Sequence, residues 1–348
     1  MKSVLFLGVD AGGSKTLSVV ANQEGTCLGV GLGGTGNFQV NGIEGAREEI
    51  RTSITMALRN AGVKLEDITA AYCGVAGADR ERDFQIVRSI LEPVLTIPRW
   101  GFENDAAIGI WAGTGDGVGV GVICGSGTNV LGFNGRGGRV QVGGMGYLFG
   151  DYAGGRLLGT LAIRAAMRGF EGRGIKTSLY PKLCRHYGVS HLLDLVDWQY
   201  EGKDLGLDEV TPILFETASE GDEAAQQILI EVGRELGVSA NAAIRQLFCG
   251  GADNSRDLAV KVVAMGSVFQ KAEYPLMYDT FVATMREEFP KVQPSILHCE
   301  PVFGGIFAAA GLANVALTDA FRARLEETFP AGLSSWFRVP NMAGKWRK

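Results

Sequence analysis

The stretch Gly8-Val9-Asp10-Ala11-Gly12-Gly13-Ser14-Lys15-Thr16 most constrains what this chain can fold into. Ser3 to Val9 is apolar and β-prone, and Leu17-Ser18-Val19-Val20 resumes the strand pattern, so the stretch reads as a hairpin with a glycine turn. Glycines lack Cβ and let backbone N–H groups converge on an anion, and Ser14, Lys15 and Thr16 add donors suited to phosphate oxygens. A Walker A loop would need Gly-Lys-Ser/Thr followed by a helix. Here the order is Gly13-Ser14-Lys15-Thr16 and a strand pattern follows. Taken alone, the stretch is equally well a tight structural turn with a surface lysine.

The rest of the chain decides between these readings. Thr26 to Leu32 reads as a third strand, Glu44 to Ala61 as an amphipathic helix, and Thr69 to Val75 as a strand. A helix over Arg80–Leu91, a strand over Thr96–Phe102 and a short helix over Ala106–Ala112 follow. Gly31, Gly33 and Gly36 match a dinucleotide fingerprint only on paper, because the next helix begins several residues later. The grammar then repeats. Val118 to Cys124 is a glycine-spaced strand, Gly125-Ser126-Gly127-Thr128-Asn129 a second glycine and hydroxyl turn, and Val130 to Phe133 and Arg139 to Val142 are returning strands. A helix over Gly155–Arg168 opens a mostly helical insertion, about 155–250. Strands at Leu258–Met265 and Ser295–His298, a helix over Tyr274–Glu288 and an alanine-rich helix to Leu312 finish the second copy. This predicts an α/β chain of duplicated βββαβα units. Its expected parts are an N-terminal lobe over 1–112, a C-terminal lobe over 113–318, and a helix and tail over 319–348.

Composition narrows the functions. At 348 residues two domains are the default, and a formal net charge of -5 supplies no basic footprint for nucleic acid. The 51 glycines gather at the ends of apolar runs, where ligand loops sit. The six cysteines show no Cys-x-x-Cys pair and no zinc spacing, and His186, His191 and His298 have no carboxylate cluster beside them. No apolar stretch reaches membrane-spanning length and no signal peptide is visible, so a cytoplasmic protein is expected.

Two phosphate-type hairpins in a duplicated unit resemble the two-lobed ribonuclease H-like fold of the actin, sugar kinase and heat-shock chaperone ATPases. More narrowly, four stretches together resemble the N-acetylglucosamine kinase family, grouped with the BadF/BadG/BcrA/BcrD-type ATPases. They are Gly8 to Thr16, Asn104-Asp105-Ala106-Ala107, Gly125 to Asn129, and Gly143-Gly144-Met145-Gly146-Tyr147-Leu148-Phe149-Gly150-Asp151. The resemblance implies transfer of the γ-phosphate of ATP to an amino-sugar hydroxyl, with Mg²⁺. Phosphoryl transfer has a loose transition state with charge on the equatorial oxygens, so donors and a metal are the main requirement. On this reading Gly12, Gly13, Ser14, Lys15 and Thr16 hold the phosphates from one lobe. Gly125, Ser126, Gly127 and Thr128 approach from the other, and Asp10 orients hydrated Mg²⁺. Asp105 is the expected base that takes the proton of the sugar hydroxyl, at a position where an N-cap aspartate is also common. Asn37, Gly77, Gly144, Met145, Asp151 and Gly155 form the expected sugar-binding set, and Gly266-Ser267 with Gly304-Gly305 are expected to flank the adenine.

The chain departs from the family pattern at Met145, Tyr152 and Ala76, where many relatives carry Trp, Glu and Ser. These departures bear on the sugar rather than on phosphoryl transfer. N-acetylglucosamine is the leading substrate, with glucosamine, N-acetylmuramic acid or another hexose as alternatives. A non-catalytic sugar or nucleotide sensor, or a dehydratase-activator ATPase, is the alternative of another class. The family resemblance also implies a homodimer.

Overall fold

The computed structural model describes residues 3–250 and 257–330. It divides into two compact units. One takes Met1–Gly121, Phe133–Gly137 and the chain from Leu297; the other takes Val122–Gly132 and Gly138–Ile296.

The first unit opens with β1 (Leu5–Ala11), β2 (Thr16–Asn22), β3 (Cys27–Gly33) and α1 (Phe38–Ala61). It continues with β4 (Ala70–Val75), α2 (Glu81–Leu91), β5 (Trp100–Glu103) and α3 (Asp105–Thr114). Its five-stranded sheet has the order β3-β2-β1-β4-β5. β1 pairs antiparallel with β2 and parallel with β4, which pairs parallel with β5. A sheet that is parallel at its centre must be covered on both faces, and β1 is apolar on both. Leu5, Leu7, Val9 and Ala11 join a core completed by Ile50, Ile54 and Ala57 of α1 and by Val87, Ile90 and Leu91 of α2. Phe6 faces the other way, into a cluster with Leu17 and Val19 of β2.

β6 (Gly119–Cys124), β7 (Thr128–Phe133) and β8 (Arg139–Val142) start the second sheet. The helices α4 (Gly155–Phe170), α5 (Leu179–Tyr187), α6 (Asp194–Tyr200), α7 (Leu207–Ser219) and α8 (Glu223–Ile244) follow. Then come β9 (Lys261–Met265), α9 (Ser267–Lys271), α10 (Leu276–Glu288) and β10 (Gln293–Ile296). This sheet has the order β10-β9-β6-β7-β8, with β9 and β10 parallel, so its strand trio β6–β8 and its pair β9 and β10 occupy the same places as β1–β3 and β4 and β5 in the first sheet. The expected duplication is therefore present in the strand order.

Two expectations need correction, and the fingerprint set aside in the sequence gains a physical reason. α1 begins at Phe38, six residues before Glu44, because Gly42 at φ 69° carries the helix across a kink. The fingerprint glycines of β3 are packing residues: a Cβ on Gly31 would stand 2.0 Å from the Ser53 carbonyl oxygen, so their absence lets α1 lie flush on the sheet. α11 (Val302–Leu312), expected in the lobe over 113–318, groups with the first unit, as does α12 (Asp319–Thr328), the helix expected over 319–348. Phe303, Ile306 and Phe307 of α11 and Phe321 and Leu325 of α12 cover the second face of the first sheet, around Phe6. The tail expected beyond α12 falls largely outside the described residues. Among the described residues no helix is long and apolar enough to cross a membrane.

Candidate active site

In the first unit the carboxyl ends of β1, β4 and β5 lie side by side, and the loops leaving them carry acidic side chains. Asp10 is paired in register with Gly74, and Gly74 with Glu103, which precedes Asn104 and Asp105. Asp105 is the first residue of α3, half-buried, with burial and then the Asp79 charge pushing its carboxyl up to about 6. Asp10 is also half-buried. Burial, then the charges of Asp105 and Glu300, push it up to about 7 against the opposing Lys15 ammonium. Three carboxylates thus crowd the end of β1 with one lysine near them, a set that a bound cation would relieve.

The turn after β1 is closed by the Gly12 N–H donating to the Lys15 carbonyl at 3.0 Å. Gly13, Ser14 and Lys15 are exposed at its tip. Thr16 departs from expectation. Its side chain is fully buried and its hydroxyl donates to the Gly34 carbonyl at 2.8 Å, so it ties β2 to the loop after β3 and is turned away from any phosphate. The Gly36 N–H donates to the Gly12 carbonyl at 3.2 Å, which brings Asn37 to the hairpin. Asn37 caps α1, its Oδ1 accepting from the Gln39 N–H at 2.9 Å, and stands against Gly77, whose φ of +86° turns the chain after β4. Asp10, Gly12, Gly13, Ser14, Lys15, Asn37, Gly77 and Asp105 therefore all belong to this unit, around the carboxyl ends of its parallel strands.

In the second unit the equivalent turn is closed by the Gly125 N–H donating to the Gly127 carbonyl at 2.9 Å. Thr128 differs from Thr16 in its partner, its hydroxyl donating to the Ile123 carbonyl at 2.9 Å on the first strand of its own hairpin. The Gly155 N–H donates to the Gly125 carbonyl at 2.7 Å, which anchors the start of α4 on this turn. Gly266, at φ +96°, has its Cα face against the Cys124 carbonyl and places Ser267 at the start of α9. A cavity of about 760 Å³ adjoins the turn, lined by Gly125, Gly155 and Ser267, by Thr211, Pro212 and Phe215 of α7, and by residues 271–274. The contribution of α7 was not legible in the sequence, because nothing local ties a helix of the insertion to the hairpin.

Gly304 and Gly305 do not join Gly266 and Ser267. Both are buried inside α11 in the first unit, where a Cβ on Gly304 would stand 1.7 Å from the Ile108 carbonyl oxygen and one on Gly305 3.1 Å from Gly8 Cα. These glycines allow α11 to touch α3 and β1, which leaves them no face for adenine.

The loop between β8 and α4 is organised by Asp151. Its carboxylate accepts from the Gly144 N–H at 2.9 Å and from the Gly146 N–H at 2.5 Å, holding glycines whose φ values are +81° and +96°. Asp151 therefore caps no helix. Met145 is 45% exposed and Tyr147, Leu148 and Phe149 still more so. Asn129 Oδ1 is buried beside Gly144 without a hydrogen-bond partner. Tyr152 is pushed up to about 12 by burial and by its hydrogen bond to Glu231. Asp79, Asn104 and Glu300 are the polar residues of the first site whose roles the sequence did not reveal; an Asp four residues past a strand end was the only local sign for Asp79.

Magnesium prefers oxygen ligands and keeps several waters. Among the described residues no group of three or more His, Cys, Asp or Glu is arranged to hold a metal by itself, so the crowded carboxylate at Asp10 fits an ion that arrives partly hydrated.

Relatives place these features in a family. A model of the BadF/BadG/BcrA/BcrD ATPase family matches residues 7–313. The chain is 28% identical over 321 residues to an N-acetyl-D-glucosamine kinase of Dictyostelium discoideum, covering 89% of this chain and 98% of that one. It is 27% identical over 307 residues to an N-acetylmuramic acid/N-acetylglucosamine kinase of Clostridium acetobutylicum, covering 87% and 97%. Among solved structures, a ROK family glucokinase from Streptomyces griseus, determined with glucose and AMPPNP, has the same fold. Its TM-score is 0.54 at 19% identity, covering 89% of this chain and 99% of that one. A Chromobacterium violaceum protein provisionally named an N-acetylglucosamine kinase gives a TM-score of 0.65 at 20% identity, covering 88% and 99%. The fold is thus that of the actin-like ATPases, and the chain belongs to the BadF/BadG/BcrA/BcrD ATPase family.

Proposed function

We propose that this protein is an ATP-dependent amino-sugar kinase, with N-acetylglucosamine as its leading acceptor. The observation that carries the reading is Asp105, a half-buried carboxylate at a strand end whose pKa near 6 suits a base working at neutral pH. The names of the curated relatives support the substrate class. In the reaction the sugar hydroxyl attacks the γ-phosphorus and its proton passes to the Asp105 carboxylate, while the bond from the γ-phosphorus to the bridging oxygen breaks and ADP leaves. Gly13 to Lys15 and Ser126 with Gly127 would supply backbone N–H groups, two hydroxyls and an ammonium toward phosphate oxygens, while Gly12 and Gly125, whose own N–H groups close the turns, shape the loops. Asp10 would hold Mg²⁺ through water, where the ion supplies charge neutralisation at the phosphates. The cavity beside Gly125, Gly155 and Ser267 is where we place the nucleoside. Asn37, Gly77, Gly144, Met145 and Asp151 remain the sugar-facing set, with Asp151 acting through the loop it holds. We place the enzyme in the cytoplasm, where ATP is made and thiols such as the six here stay reduced.

A coupled ADP-release assay over N-acetylglucosamine, glucosamine, N-acetylmuramic acid and glucose tests the reading. Release that depends on an amino sugar is expected. Nucleotide binding without release on any of these sugars would contradict it.

A further inference from the structure

A half-buried hydrogen bond between Asp79 and Asn104 joins the loops that leave β4 and β5. Asn104 is 2% exposed and is the N-cap of α3. Its Oδ1 accepts from the Ala106 N–H at 2.9 Å, and its Nδ2 donates to Asp79 Oδ1 at 3.0 Å. The Ala106 N–H is shared, because it also donates to Asp105 Oδ1 at 3.1 Å, which turns one oxygen of that carboxylate toward the helix end. A first-turn aspartate and an N-cap asparagine are both able to satisfy that donor. An Asp105 carboxylate committed to Ala106 would be drawn onto its own helix end and away from a substrate.

Topology explains why Asp79 can intervene. β4 and β5 are parallel neighbours, so the loop leaving β4 passes beside the loop leaving β5. The chain turns at Gly77, and the Arg80–Asp83 pair starts α2, leaving Asp79 held between two fixed points. A side-chain amide has two faces that swap donor for acceptor on a flip. A carboxylate accepts only, so Asp79 permits one orientation of the Asn104 amide: nitrogen toward Asp79, oxygen toward Ala106.

Resting on the kinase reading above, we propose that Asp79 is a positioning residue: by fixing the Asn104 amide as the main cap of α3, it holds Asp105 to a share of the Ala106 N–H through Oδ1 and leaves the other carboxylate oxygen for the sugar hydroxyl. Asp79 touches no reacting atom in this scheme. Misplacement of a base by a fraction of an ångström is costly to turnover while leaving the binding of remote sugar groups unchanged. The effect therefore falls on kcat rather than on the sugar KM.

Three variants test it with N-acetylglucosamine and ATP, beside wild type and Asp105→Asn. Asp79→Ala removes the acceptor and is expected to lower kcat about tenfold or more with the sugar KM within about twofold. Asp79→Asn keeps an acceptor oxygen but can also donate, so it fixes the Asn104 amide less well and is expected to give a kcat between those of wild type and Asp79→Ala. Asn104→Ser keeps an N-cap hydroxyl but loses the link to Asp79, and is expected to show the same tenfold or greater loss in kcat, a readout that stands on its own if Asp79→Ala does not fold. The double variant Asp79→Ala/Asn104→Ser is expected to be no worse than either single one, as for groups acting as a unit. Wild-type kcat in both Asp79→Ala and Asn104→Ser, or equal losses in Asp79→Asn and Asp79→Ala, would overturn the inference alone. Absence of sugar-dependent turnover in the wild type, or near-normal turnover in Asp105→Asn, would overturn the kinase reading or the base, and the inference with it.

Discussion

Asp10 and Asp105 stand above ordinary carboxylate pKa values for the same first cause, burial, to which the Asp105 and Glu300 charges add at Asp10 and the Asp79 charge adds at Asp105. A raised folded pKa means that the folded protein binds the proton more tightly than the unfolded chain does. These groups therefore take stability away as pH rises from about 4 to 7. With no ligand bound, Asp10→Asn should stabilise the protein at pH 8 by on the order of 2 kcal/mol while abolishing turnover, a trade read by thermal melts and ADP release. Asp105→Asn should bind nucleotide normally and lose about two to four orders of magnitude in kcat. For the wild type, kcat/KM should fall on the acid side between pH 7 and 6, where the two carboxyls take protons. Thr16 is a contrary case. Thr16→Val should cost about 1–2 kcal/mol of stability through the unsatisfied Gly34 carbonyl and leave the KM for ATP within about twofold. A large rise in that KM would return Thr16 to the phosphate site.

Among the elements, α11 teaches most about what a sequence shows. Its alanine-rich apolar run announced a buried helix, and its glycines looked like those of a ligand loop. They are contact glycines instead, since Gly304 lies on the Ile108 carbonyl and Gly305 on Gly8. Gly304→Ala should destabilise the protein by at least about 2 kcal/mol by overpacking the crossing with α3, a loss measured by chemical denaturation. The hairpins were legible because a glycine and hydroxyl turn between two apolar runs is a local pattern. The strand order of both sheets followed from repeating that pattern. What a helix packs against is not local, so α7 beside the second hairpin and α11 in the first unit could be read only from the fold. Asp79 and Asn104 were hidden for the same reason, since their contact joins loops 25 positions apart.

For the whole molecule, a duplicated strand order and a match over residues 7–313 agree with the four motifs that pointed to an ATPase family. The family was legible because those motifs fall in order at strand ends. The choice of sugar was not, because the residues proposed to face it, Asn37 and Gly77 in one stretch and Gly144 and Met145 in another, stand far apart in sequence. The central claim is that Asp105 serves as the base of an amino-sugar kinase. Single-turnover phosphoryl transfer from ATP to N-acetylglucosamine, compared between wild type and Asp105→Asn at matched nucleotide occupancy, tests it most directly. The account predicts sugar phosphate formed by the wild type and a rate lower by at least about a hundredfold in the variant. Equal rates in the two proteins, or no sugar phosphate from the wild type, would contradict it.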